Sequence, residues 1–130
     1  MTIRVVRTIV LATVVLTLPT ACAHSPRLDR PGQAPDPRGC FVYIYQLDEF
    51  GGERRLINGP AQISDTSYLV GQWAQGVSSL RVGEAATVEV HSRTDFFGRS
   101  LGLASGTSVP LLEAFFRDPI MSLLVECDRR

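Results

Sequence analysis

The stretch Tyr45–Gly52, YQLDEFGG, sets an aromatic residue at Tyr45, a second at Phe50 and glycine at Gly52. Just upstream, Val42 and Ile44 alternate with Tyr43, the period-two pattern of a strand with one buried face. A strand running into polar residues and glycine predicts a hairpin, yet that leaves the aromatic spacing unexplained. The explanation comes from 46 positions downstream, where HSRTDFFG places His91, Phe96 and Gly98 at the same intervals. Val88 and Val90 precede it as Val42 and Ile44 precede the first copy, with Glu89 in the place of Tyr43. The valines and Ile44 are therefore expected inside, and Tyr43 and Glu89 outside.

A second repeated segment closes each half. VSSLRV (Val77–Val82) and IMSLLV (Ile120–Val125) match with Ser79 on Ser122, Leu80 on Leu123 and Val82 on Val125. Each half thus reads as a strand, an aromatic-glycine hairpin, a second strand, a connection holding a third, and a closing strand that carries serine. Four strands per half predict two Greek keys. The expected fold is all-β, with short helices in the connecting loops. The expected domain runs over 40–130, its first motif about 40–84 and its second about 85–128.

These residues resemble the βγ-crystallin domain, two Greek-key motifs packed as a β-sandwich. The signature of that family is an aromatic, four residues, an aromatic, any residue, glycine, and later a serine on the fourth strand. The first motif matches it at Tyr45, Phe50, Gly52 and Ser79, and the second at Phe96, Gly98 and Ser122, with His91 where an aromatic is usual. The physical logic stands beside the resemblance. A hairpin folded back over its own sheet needs positive φ, which glycine adopts without the roughly 1–2 kcal/mol that a Cβ costs. The aromatic pair packs across the fold, and a serine hydroxyl can bond backbone groups that the folded hairpin leaves unpaired. Ser79 and Ser122 are accordingly structural. A nucleophile built from Ser79, His91 and Asp95 lacks a G-x-S-x-G elbow or any comparable setting, so no catalytic residues are assigned.

Many microbial members of the family bind calcium through two Asn/Asp residues, two of any type, Ser/Thr, then Ser. The copies here read Ala74-Gln-Gly-Val-Ser78-Ser79 and Arg117-Asp118-Pro-Ile-Met121-Ser122. A hard cation needs several oxygens. The resemblance therefore implies degraded sites, with Ser78 and Asp118 as weak candidate ligands and no other cofactor.

The chain has 130 residues, 45% of them hydrophobic, which suits one domain. Its 13 basic residues, all arginine, balance 13 acidic ones, and no basic cluster of the kind nucleic acid demands stands out. Arg4 and Arg7, the apolar run Thr8–Leu18 and small residues at Thr20, Ala21 and Ala23 form a signal peptide over about 1–23. That run is short of the roughly 20 residues of a membrane-spanning helix. LPTAC, ending at Cys22, resembles a bacterial lipoprotein box, although Pro19 stands where leucine is usual. The resemblance implies that Cys22 is lipidated, on the cell membrane or outer membrane. Ala21-Cys22-Ala23 equally fits ordinary cleavage, giving a secreted or periplasmic protein that begins at His24. Residues 24–39, with four prolines, read as a disordered tether.

Cys40 and Cys127 remain as the only cysteine pair of an exported domain. Each shares the register of the inward-facing residues, and a disulfide is expected, two buried thiols being the alternative. Trp73 is expected as a buried aromatic in the first long connection, Arg54 and Arg55 on a solvated strand face, and LLEAFFRDP (Leu111–Pro119) as a short packed helix. Functionally the chain reads as a non-enzymatic exported structural or binding module, monomeric, whose partner is an unknown protein or envelope component. The alternatives are a secreted protease inhibitor of this fold and a calcium-binding module.

Overall fold

Alternation along the strands decides which side chains meet. In the computed structural model, which describes residues 33–129, Val42, Ile44 and Val90 are fully buried and Val88 almost so. Tyr43 is only half-buried and Glu89 is exposed. The strands that carry them are β1 (Phe41–Leu47) and β5 (Ala86–His91). Six more strands complete the set among the described residues: β2 (Gly51–Asn58), β3 (Ala61–Ile63), β4 (Ser79–Val82), β6 (Ser100–Leu103), β7 (Ser108–Val109) and β8 (Ser122–Cys127). A single four-residue helix, α1 (Ser67–Val70), lies in the connection after β3.

The strands form two four-stranded antiparallel sheets, in the orders β2-β1-β4-β7 and β3-β8-β5-β6. The chain is thus an all-β sandwich of two Greek keys. Each motif lends its third strand to the other's sheet: β3 pairs with β8, and β7 with β4. The inner faces meet in one core built from Val42, Ile44, Ile57, Leu80, Val88, Val90, Leu123 and Val125, among others. Burying such side chains stabilises by about 1.5–3 kcal/mol each, the main force holding the sheets together.

The connections close the sides of the core. Leu69 of α1 and Trp73 just after it are buried. In the second motif a single 3₁₀ turn, Leu112–Ala114, takes the place of the short helix expected from Leu111 to Pro119, and it buries Leu112 and, beyond it, Phe116. Pro119 and the preceding Asp118 limit further helix, because a residue before proline is pushed out of the α region.

At the far end from the hairpins, Cys40 and Cys127 form a disulfide with a Cα separation of 5.3 Å. Gly59 packs against it, and a Cβ there would lie 2.6 Å from Cys40 Sγ, so only glycine fits. Just outside β1 the segment expected as tether is held down from Ala34 onward. The Asn58 side chain accepts a hydrogen bond from Asp36 N at 2.8 Å and donates one to Ala34 O at 3.2 Å. Asp36 in turn accepts from Arg38 N, and Gly39 N donates to Asp36 O, closing a turn. The expected signal segment, Cys22 and residues 24–32 lie outside the described residues.

Candidate functional site

Ser79 is fully buried under the first hairpin, opposite Tyr45 in the β1–β4 ladder. Its Oγ donates to Leu47 O at 2.6 Å and accepts from Phe50 N at 3.0 Å. Ser122 repeats this in the second motif, donating to Arg93 O at 2.6 Å and accepting from Phe96 N at 3.0 Å. Each hydroxyl thereby satisfies one backbone acceptor and one donor that the folded hairpin removes from its ladder. Tyr45 meets Phe50 edge to face at 5.5 Å, and His91 meets Phe96 in the same geometry at 5.8 Å. Gly52 and Gly98 take φ of 72° and 80°.

Four other residues carry the reversal as well. Glu49, Phe50, Asp95 and Phe96 all have φ between 55° and 63°. No composition signal marks them, because side chains with a Cβ enter this region at a cost of about 1–2 kcal/mol and only where their surroundings force it. The surroundings are visible here: the serine hydroxyl holds Phe50 N and Phe96 N, while Glu49 N donates to Pro110 O and Asp95 N to Ser64 O. Pro110 and Ser64 each follow a third strand, so the exchanged strands also pin the hairpin tips.

His91 is buried where the first motif has tyrosine. Glu89 Oε1 lies 2.8 Å from its Nε2 without hydrogen-bond alignment, and neither ring nitrogen has a hydrogen-bonding partner among the described residues. Ser79 and His91 sit on the outer faces of different sheets, so the fold does not assemble them with Asp95 into a catalytic group.

Ser78 and Asp118 do come together. With Asp48, Gln75 and Arg117 they line a depression of about 330 Å³ between the two long connections. Ser78 Oγ donates to Gln46 O at 2.8 Å, and Asp118 lies 3.6 Å from the guanidinium of Arg99. Arg117 brings a cation to the same depression. Among the described residues no three His, Cys, Asp or Glu side chains converge as a metal-binding group.

The arginines of β2 are not merely solvated. Arg54 stacks on Tyr43 at 4.9 Å, and Arg55 on Trp73 at 5.4 Å while pairing with Glu53. Trp73 Nε1 donates to Glu53 at 3.1 Å, and this bond, followed by the nearby Arg55 charge, holds the Glu53 carboxyl below its ordinary value.

Two interlocked Greek keys, each with a folded hairpin tied down by a fourth-strand serine, make a recognisable object. This is the βγ-crystallin fold. A βγ-crystallin domain solved in connection with the evolution of the eye-lens fold superposes with a TM-score of 0.64 at 22% identity, over 75% of this chain and 96% of that one. The Ciona intestinalis βγ-crystallin gives 0.54 at 23% identity, over 66% and 99%. A βγ-crystallin domain from the bacterium Flavobacterium johnsoniae gives 0.54 at 17%, over 68% and 97%. No protein-family model matches the chain. No curated protein matches it in sequence. The likeness of this βγ-crystallin-like domain therefore rests on backbone geometry, and it extends over nearly the whole of each solved domain.

Proposed function

We propose that this chain is a non-enzymatic, exported βγ-crystallin-like module, held at the cell envelope by a lipidated Cys22 and presenting its sandwich to an envelope or protein partner. The observation that carries the reading is the use of the motif residues. Both serines have their hydroxyls engaged with backbone, the aromatics brace the hairpins, and a disulfide joins Cys40, just before the first strand of one motif, to the last strand of the other. Chemistry of that kind suits an oxidising compartment outside the cytoplasm and a scaffold rather than a reaction centre. Mass spectrometry of the mature N-terminus tests it. A diacylglyceryl-modified Cys22 is expected, and a free His24 would instead mean a soluble exported protein.

A second reading, weak calcium binding, is favoured by one observation: Ser78 and Asp118 share a depression with Asp48. Ser78 Oγ, donating its proton to Gln46 O, keeps its lone pairs for an ion, whereas Asp118 would have to leave its pairing with Arg99. Titration calorimetry of the chelator-treated protein decides the matter. A saturable millimolar isotherm lost in Ser78→Ala supports this reading, and the absence of heat at that concentration removes it.

A further inference from the structure

The outer faces of the two sheets differ in charge although the whole chain is neutral. On the first sheet, Phe41 and Tyr43 of β1 are half-buried and stack edge to face at 5.4 Å. Exposed Arg54 and Arg81 flank them on β2 and β4, Arg54 over Tyr43 and Arg81 over Phe50 at 3.9 Å. Neither guanidinium pairs with a carboxylate among the described residues, and no outward strand position of this sheet is acidic. Asp48 and Glu49 stand at its hairpin end, and Asp36, at the other end, is neutralised by Arg38. The second sheet turns Glu89 and Glu126 outward and has no outward arginine on its strands.

The preceding chain joins the domain at the end of β2, where residues 34–38 border Asn58 of the first sheet and also Gln62, Leu124 and Glu126 of the second. Asn58, which grips Ala34 and Asp36, pairs with Phe41 and shares its outward parity. Cys22 and Ala34 are twelve positions apart, so the intervening chain spans about 40 Å at most when fully extended. We propose that the outer face of the β2-β1-β4-β7 sheet docks on an anionic lipid surface, with Arg54 and Arg81 on headgroup phosphates and Phe41 and Tyr43 at the interface. This deepens the envelope-anchored reading and rests on it for the local concentration of lipid. Arginine and aromatic side chains are suited to the headgroup layer, where a basic residue near an anionic surface contributes about fivefold in affinity.

The test uses the form beginning at His24, which contains every described residue and no acyl group. Its ¹⁵N amide spectrum is followed on adding bicelles containing phosphatidylglycerol, or phosphatidylcholine alone. Shifts confined to Phe41–Tyr43, Arg54 and Arg81, absent with the neutral bicelles and suppressed by high salt, are expected. Arg54→Gln/Arg81→Gln should weaken the effect about 25-fold, whereas Glu89→Gln/Glu126→Gln should leave it intact. An unperturbed spectrum, equal response to neutral bicelles, or shifts centred on Thr87, Glu89 and Glu126 would overturn the proposal. So would concentration-dependent shifts without lipid, which would assign the face to a second copy of the chain. Because this form lacks the acyl group, its result stands apart from that for Cys22: lipid docking with a free His24 removes the anchor alone, and a lipidated Cys22 with no docking removes the face alone.

Discussion

Ser79 and Ser122 do what no apolar residue of their size can do, because each answers a backbone carbonyl and a backbone N–H at once. Ser79→Ala leaves Leu47 O and Phe50 N without that partner in a buried place, and the expected loss is about 2 kcal/mol by urea denaturation. Ser122→Ala should cost a similar amount, since its two bonds have the same lengths. The glycines act through conformation and space together. A Cβ at Gly52 would lie 2.9 Å from Gln46 Oε1, and one at Gly98 would run into Ser92 Oγ, both at positive φ. Gly52→Ala and Gly98→Ala should each lower stability by about 1–2 kcal/mol or more. Unchanged midpoints would contradict the folded-hairpin account.

At the scale of elements, the first long connection is fastened to β2 through Trp73, Glu53 and Arg55. The Glu53 carboxyl titrates below its ordinary value of 4.5, chiefly through the Trp73 hydrogen bond. A group whose pKa is depressed by folding adds stability above its unfolded value and loses it as the pH falls through the folded one. The stability difference between the natural chain and Glu53→Gln should therefore be present at neutral pH and be lost as the pH falls below the ordinary value of 4.5 and through the depressed folded one, as read from thermal midpoints across pH. With Trp73→Phe in the background, that pH dependence should flatten.

The same scale shows what a sequence can and cannot carry. The inward set Val42, Ile44, Val88 and Val90 was legible because period two holds over whole strands, and the hairpins because their spacing recurs. β3 and β7, of three and two residues, are too short for any pattern. Their exchange between sheets belongs to topology rather than to local propensity. The Asn58 grip on Ala34 and Asp36 was invisible for a related reason: it joins positions more than 20 residues apart through one amide. For the candidate site, the motif residues were visible through their repetition, but the left-handed Phe50 and Phe96 were not, since nothing local favours that conformation for phenylalanine.

For the molecule as a whole, the disulfide closes a loop with a sequence separation of 87. The chain-entropy model gives such a crosslink up to about 4–5 kcal/mol. Reduction under mild denaturant should thus lower the unfolding midpoint strongly, and Cys40→Ala/Cys127→Ala should reproduce the reduced protein. A midpoint insensitive to reductant would mean that the packed sheets alone hold the sandwich.

The place of that crosslink has another consequence. Ala85 N donates to Gly39 O while Asp128 N donates to Ala85 O, so the residues flanking the domain at both ends meet over one point of the middle. The order in which the two motifs are synthesised is then nearly arbitrary. A circular permutant, joined by a short linker from Asp128 to Gly39 and opened in the exposed turn at Ala74–Gln75, would keep every strand pair and the cystine while starting and ending inside the first motif.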